Sequence, residues 1–214
     1  HNADALAELL AALRQPGMDG EGLRTLVEAL AYANTDIGRT AYAAAMQAPD
    51  MPYTARHALV SAATFVAEPT PVVLDALRAI FTTKGHELQA AAALAFAAIA
   101  RTQSERNPAL GLPLKAEVLE RASKWLAGPD APKADILPET LGYDERDLWL
   151  EALGNLGGPE AWPLIQPYLV AQSDWMRLHA IESLRFVQVP AARVALAKAM
   201  LLDKPSASVL AVGL

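Results

Sequence analysis

The chain has 214 residues, 53% of them hydrophobic, a formal net charge of −6 and no cysteine. Disulfides and thiolate metal sites are excluded, though the compartment is left open, and the scattered Lys and Arg form no basic stripe that would track nucleic acid. The longest apolar run, Ala90–Ala100, falls short of the ~20 apolar residues of a membrane-spanning helix. Much of the hydrophobic share is Ala, which favours helices that form readily and pack closely. Aromatic and β-branched residues are sparse and no stretch alternates with a period of two for long, so the chain reads as all-α.

A first helix is predicted from about Asp4 to Arg14, with Leu6, Leu9, Leu10 and Leu13 on one face, closed by Pro16 and Gly17. The next, about Gly20 to Ala33, turns Leu23, Leu26, Val27 and Leu30 inward. After a turn at Asn34-Thr35 a helix runs to about Gln47, where Ala48-Pro49-Asp50 breaks it. A helix from about Pro52 to Ala67 carries Ala58, Leu59, Ala62, Phe65 and Val66. Thr70 as N-cap and Pro71 at the first helical position, where its missing N–H costs nothing, open another. Lys84-Gly85 turns the chain into an Ala-rich helix, about His86–Arg101, whose partner runs from Gly111 to Ala127. Residues 128–142, GPDAPKADILPETLG, cannot continue a helix and read as an irregular insertion. Two helix pairs follow. Asp203-Lys204 then precedes a last helix, Ser206–Leu214, that stops short; with a start that lacks Met, this suggests a piece of a longer protein.

The strongest signal is a repeat. Residues 146–169, RDLWLEALGNLGGPEAWPLIQPYL, are echoed about 31 residues on by 177–200, RLHAIESLRFVQVPAARVALAKAM. In that register Arg146 matches Arg177, Leu150 matches Ile181, Leu153 matches Leu184, Leu156 matches Val187, Pro159 matches Pro190 and Ala161 matches Ala192. A weaker copy, Arg56 to Pro71, places Arg56 on Arg146, Ala63 on Leu153 and Val66 on Leu156, and Glu28–Thr35 (EALAYANT) resembles Glu151–Gly158 (EALGNLGG). Helix–turn–helix units at a period of roughly 30–45 residues are the signature of an α-solenoid. Leu and Ala at spacings of three and four form the buried stripe. Gly154 and Gly157 allow the tight turn and close backbone approach, and Pro159 starts the second helix. The Arg177-Leu178-His179-Ala180 segment and the Pro-containing turn resemble HEAT repeats. The expected fold is a right-handed α–α superhelix, a HEAT-like solenoid of about five helix pairs forming a single domain over 1–214 with concave and convex faces.

A narrower resemblance rests on five pieces in order. LEALGNLGGPEAWPLIQPYL (Leu150–Leu169) is similar to the segment L-K-A-L-G-N-A-G-x-P with its Y-L ending in the helical domain of the large lipid-transfer proteins, the family of vitellogenin and microsomal triglyceride transfer protein. Leu26–Gly38 resembles that family's L-x-A-L-x-x-A-G-T segment and Ala62–Leu74 its L-A-F-x-P-R-P-T-x-x-x-L segment. Ala92–Thr102 resembles A-L-L-A-L-G-T-L, and Met176–Phe186 resembles V-R-x-A-A-x-x-A-L-R. The resemblance implies a helical wrap that braces lipid-enclosing β-sheets and contacts protein partners, in a parent that is exported. The family segment has no catalytic residues to carry over.

Chemistry-bearing motifs are few. His57, His86 and His179 fall on different predicted helices without H-x-x-x-H or H-E-x-x-H spacing, so no metal or cofactor is expected from them. Leu153–Gly158 joins two helices and follows no strand, which makes it turn chemistry rather than a nucleotide loop. Asp144, Glu145 and Asp147 suit the positive end of a helix dipole; an acid pair for catalysis is the other reading. Arg146 and Arg177 read as rungs of a ladder to acidic groups of neighbouring repeats, or as ligand-binding residues. Trp149, Trp162 and Trp175 read as seam packing between repeats or as an interaction surface, Trp149 lying off the centre of the buried stripe.

The expected function is that of a non-catalytic scaffold whose partners are other domains of its own parent chain or another protein, with lipid held by the parent. A generic protein-binding HEAT scaffold is the alternative. A HEAT-like lyase or a base glycosylase is a third; the latter would need a basic face that a net charge of −6 disfavours.

Overall fold

A computed structural model describes residues 2–15, 17–33, 35–127, 145–171 and 173–200. The expected insertion at 128–142, the residue Asp144 and the expected last helix from Ser206 lie outside them. Among the described residues the chain is all-helical: eleven α-helices, short 3₁₀ turns and no strand. Contacts divide it into two compact units, His1–Ile99 and Ala100–Leu214.

The first unit holds α1 (Asn2–Leu13), α2 (Gly20–Ala31), α3 (Asp36–Gln47), α4 (Tyr53–Ala62, extended by a 3₁₀ turn to Phe65) and α5 (Pro71–Thr82). It ends inside α6 (Gln89–Arg106). Caps fix the starts. Asp19 Oδ1 accepts from the Gly22 N–H at 2.7 Å, and Thr35 Oγ1 accepts from the Gly38 N–H at 3.1 Å. Thr70 occupies the N-cap position before Pro71, but its side chain makes no capping bond. α2 packs on α3 and α4, and α3 on α4 and α5. α2 and α3 therefore each meet both the next helix and the one after it, as stacked helix pairs require. Leu30, Tyr42, Met46, Leu59, Leu77, Ile80 and Phe96 fill this core. The Tyr42 hydroxyl donates to the Leu59 carbonyl, and burial holds its pKa far above the ordinary phenol value.

Two predicted starts move, for physical reasons. α6 begins at Gln89 rather than His86, because Gly85 turns in the left-handed region at φ 75° and His86 Nδ1 accepts from the Leu88 N–H at 3.0 Å. His86 thus sits in a turn and not in a helix. α7 (Pro108–Leu126) begins with Pro108 as its first residue rather than at Gly111. Gly111 lies inside α7, where a Cβ would fall 2.0 Å from the Ser104 nitrogen, so the backbones of α6 and α7 touch.

The second unit continues with α7, α8 (Glu145–Leu156), a broken helical segment, α10 (Asp174–Glu182) and α11 (Pro190–Met200). The broken segment comprises a 3₁₀ turn (Pro159–Ala161), α9 (Trp162–Ile165) and a second 3₁₀ stretch (Gln166–Val170). The single helix expected from Pro159 does not form because Pro163 and Pro167 each remove an N–H from the ladder. α8 packs on α7 and α10, while the 166–170 stretch packs on α10 and α11. Leu150, Leu153, Ile165, Tyr168 and Met176 are buried between them, and the Tyr168 hydroxyl donates to the Leu126 carbonyl at 3.0 Å.

Candidate functional site

The repeat positions singled out in the sequence converge on the seam between α8 and α10. Gly154 permits the closest approach: a Cβ there would lie 2.8 Å from the Ser183 Cα. The Ser183 hydroxyl donates toward the carbonyls of Leu150 and His179, both at 2.6 Å, and so ties the two helices together. Gly157 and Gly158 turn the chain with φ of 65° and 80°, a region glycine enters without steric cost. The Gly158 N–H donates to the Phe186 carbonyl at 3.0 Å, locking this turn to the equivalent turn of the next repeat. Pro159 opens the 3₁₀ turn and Pro190 opens α11.

Both signature arginines are buried, Arg146 at 3% and Arg177 at 8% exposure. Arg177 Nη1 donates to the Ala171 carbonyl at 2.5 Å, and Nη2 pairs with Asp174 in its own first turn. Arg56, in the upstream copy, behaves alike: Nε donates to the Met51 carbonyl at 3.1 Å, and Nη2 pairs with Glu87. In both copies the arginine ties the start of the first helix to the loop before it. The sequence register showed their equivalence but not this partner, since a backbone carbonyl leaves no letter to match.

The three tryptophans separate. Trp149 is buried at 4% exposure, within the core and not beside it; the 3.6-residue period alone placed it at the edge of the stripe, but α8 is covered on both flanks. Trp162 is half-buried and Trp175 half-exposed. The Trp175 indole stands edge-on to the His179 imidazole, ring centroids 4.5 Å apart.

His179 is the centre of the seam's polar cluster. It is buried, with Nδ1 3.1 Å from Glu151 Oε1 on α8 and 3.5 Å from Glu182 Oε2 on its own helix. Burial opposes a charged imidazole, but the Glu151 carboxylate beside it, with Asp147 and Glu182, outweighs that and raises the His179 pKa above its ordinary value. Asp147 is fully buried, and Glu145 shares the first turn of α8 with it as the helix dipole favours. Such a cluster can hold a proton or a cation. Sequence reasoning, which looked for histidine spacing, missed it. A signal was present: in the register that aligns Arg146 with Arg177, Glu151 aligns with Glu182, and equivalent positions of stacked repeats are neighbours in space.

On the flank of the same unit, Lys115 of α7 pairs with Glu160 at 2.8 Å, and this hydrogen bond holds the Glu160 carboxyl below its usual range. The Arg101 guanidinium lies 3.6 Å from the centroid of the Phe186 ring. No helix among the described residues is long and apolar enough to cross a membrane.

Fold and seam together define an all-α chain of stacked helix pairs, whose signature residues hold successive repeats in contact. A family model for the vitellogenin TPR domain matches residues 1–203, and the chain belongs to that family. This domain is a structural helical part of a lipid-transfer family. The family description speaks of TPR where the sequence suggested HEAT; both are helix–turn–helix repeats differing in period and turn. No curated protein and no solved structure matches the chain.

Proposed function

We propose that this chain is a non-catalytic HEAT-like scaffold within a larger protein, bracing a lipid-holding module built from other parts of that protein. The observation that carries the reading is the vitellogenin TPR match over residues 1–203. The seam supports it. Gly154 and Arg177, repeat positions that the sequence singles out, are engaged with Ser183 in holding repeats together. Function in such a molecule comes from an extended surface rather than a pocket. Its partners are then neighbouring domains of the same protein, and lipid is contacted through them.

Native mass spectrometry with lipid extraction tests this, on the chain and on the complete product of its gene. Lipid recovered with the complete protein but not with this chain is the expected result. Lipid on neither would replace the reading with a protein-binding scaffold. The exposed Tyr32, Ile37, Tyr53 and Phe65 of the first unit are where that search would start.

A further inference from the structure

The seam carries a cluster that helix stacking alone does not require. Glu151 of α8 and His179 and Glu182 of α10 each offer one ligand atom, and the three atoms lie within 4.8 Å of one another. Two of the separations are 3.1 and 3.5 Å, both from His179 Nδ1. A tetrahedral zinc ion with bonds of about 2.0–2.1 Å sets neighbouring ligand atoms ~3.3–3.4 Å apart, which falls between those values. His179 and Glu182 are three residues apart and so share one face of α10; helical bundles present metal ligands at the same spacing, in the reverse order Glu-x-x-His. Glu151 reaches the pair across the Gly154–Ser183 contact, where touching backbones fix the distance between the helices. The donor set is therefore supported by the scaffold rather than by mobile loops.

We propose that Glu151, His179 and Glu182 form a binding site for a divalent transition-metal cation of the zinc class, clamping α8 to α10. One imidazole and two carboxylates leave a fourth tetrahedral position for water. The buried Asp147 carboxylate adds negative charge beside the imidazole without serving as one of the three ligands. Access is from the carboxylate side: the Glu151 and Glu182 side chains are 22% and 35% exposed. Trp175 covers the imidazole at 4.5 Å and would report occupancy through its fluorescence. This assignment is independent of the lipid reading and concerns how successive repeats are joined.

The test is a titration of the metal-stripped chain with cobalt(II), read by visible absorption and by tryptophan fluorescence, followed by displacement with zinc. One equivalent of cobalt should give the intense bands of a tetrahedral site, quench fluorescence and be displaced by zinc, and zinc should raise the melting temperature. Glu182→Gln and Glu151→Gln, which keep shape but remove charge, should each weaken zinc binding at least about tenfold. Glu160→Gln, a carboxylate elsewhere in the same unit, should leave it unchanged. The glutamine variants avoid emptying the buried His179 position, so loss of binding is separable from loss of fold by circular dichroism. Absence of a tetrahedral cobalt spectrum would overturn the proposal and reassign the cluster as an ion-pair network. Zinc binding that survives both Gln variants would overturn it too, by placing the metal elsewhere.

Discussion

Gly154 and Gly111 are inside helices, where glycine costs up to ~1 kcal/mol relative to Ala in intrinsic propensity. Both are paid back by packing: a Cβ would meet the Ser183 Cα at 2.8 Å and the Ser104 nitrogen at 2.0 Å, so a methyl group must push a helix away. Gly154→Ala and Gly111→Ala are expected to destabilise by about 1–3 kcal/mol through overpacking, with Gly111→Ala the more severe. Gly85 is the control: its φ is 75° but nothing lies within 4 Å, so Gly85→Ala should cost only the left-handed backbone penalty of about 1–2 kcal/mol. Urea unfolding of the three variants would rank them, and a Gly111→Ala midpoint above that of Gly85→Ala would refute the account. Gly154 was legible as a close-approach residue because it stands three residues before the turn glycine Gly157 in the strongest repeat phrase. Gly111 read as a helix start and Ser183 drew no notice, because a lone small residue does not reveal which backbone it touches.

Helices are where the sequence was most informative, and the reason is local. Asp19, Thr35 and Pro71 fix three starts by chemistry acting within three residues. The misread element, 159–170, was broken by prolines visible in the sequence; the repeat register favoured a helix there, and the missing N–H groups overrode it. The contact between α7 and the turn that follows Gly158 makes a prediction at this scale. Lys115 lowers the Glu160 pKa, so their interaction adds stability above the ordinary glutamate range, and that stability is lost as pH falls through the lowered value. Urea midpoints of the chain and of Lys115→Met should differ at neutral pH and converge in acid. The gap should be small, since Glu160 is half-exposed and water screens the pair. A gap that widens in acid would show that the sign is wrong.

For the whole molecule, fold and family could be read early because they are distributed over many degenerate positions, five ordered phrases matched by a family extending over 1–203. The seam cluster could not, because Glu151 and His179 come together only when α10 is laid on α8. Charge is likewise a property of the whole chain. At pH 7 a formal charge of −6 keeps copies apart, and with a pI near 5.2 self-association should peak around that pH. Light scattering across the acid range would show this as a maximum that salt shifts or flattens. A flat profile would mean that surface patches rather than net charge govern solubility.

The boundary between the two compact units falls within α6, not in a linker. Phe96 in this helix meets Phe81 edge-on at 5.1 Å on one side of the boundary, and Ser104 meets the Gly111 backbone on the other. The helix thus contributes its first turns to one unit and its last turns to the other. Cutting at Ile99 would sever its hydrogen-bond ladder, and cutting before or after it would strip one half of a packing partner. An engineer looking for two separable halves would find a continuous helix at the point of division and no linker to cut.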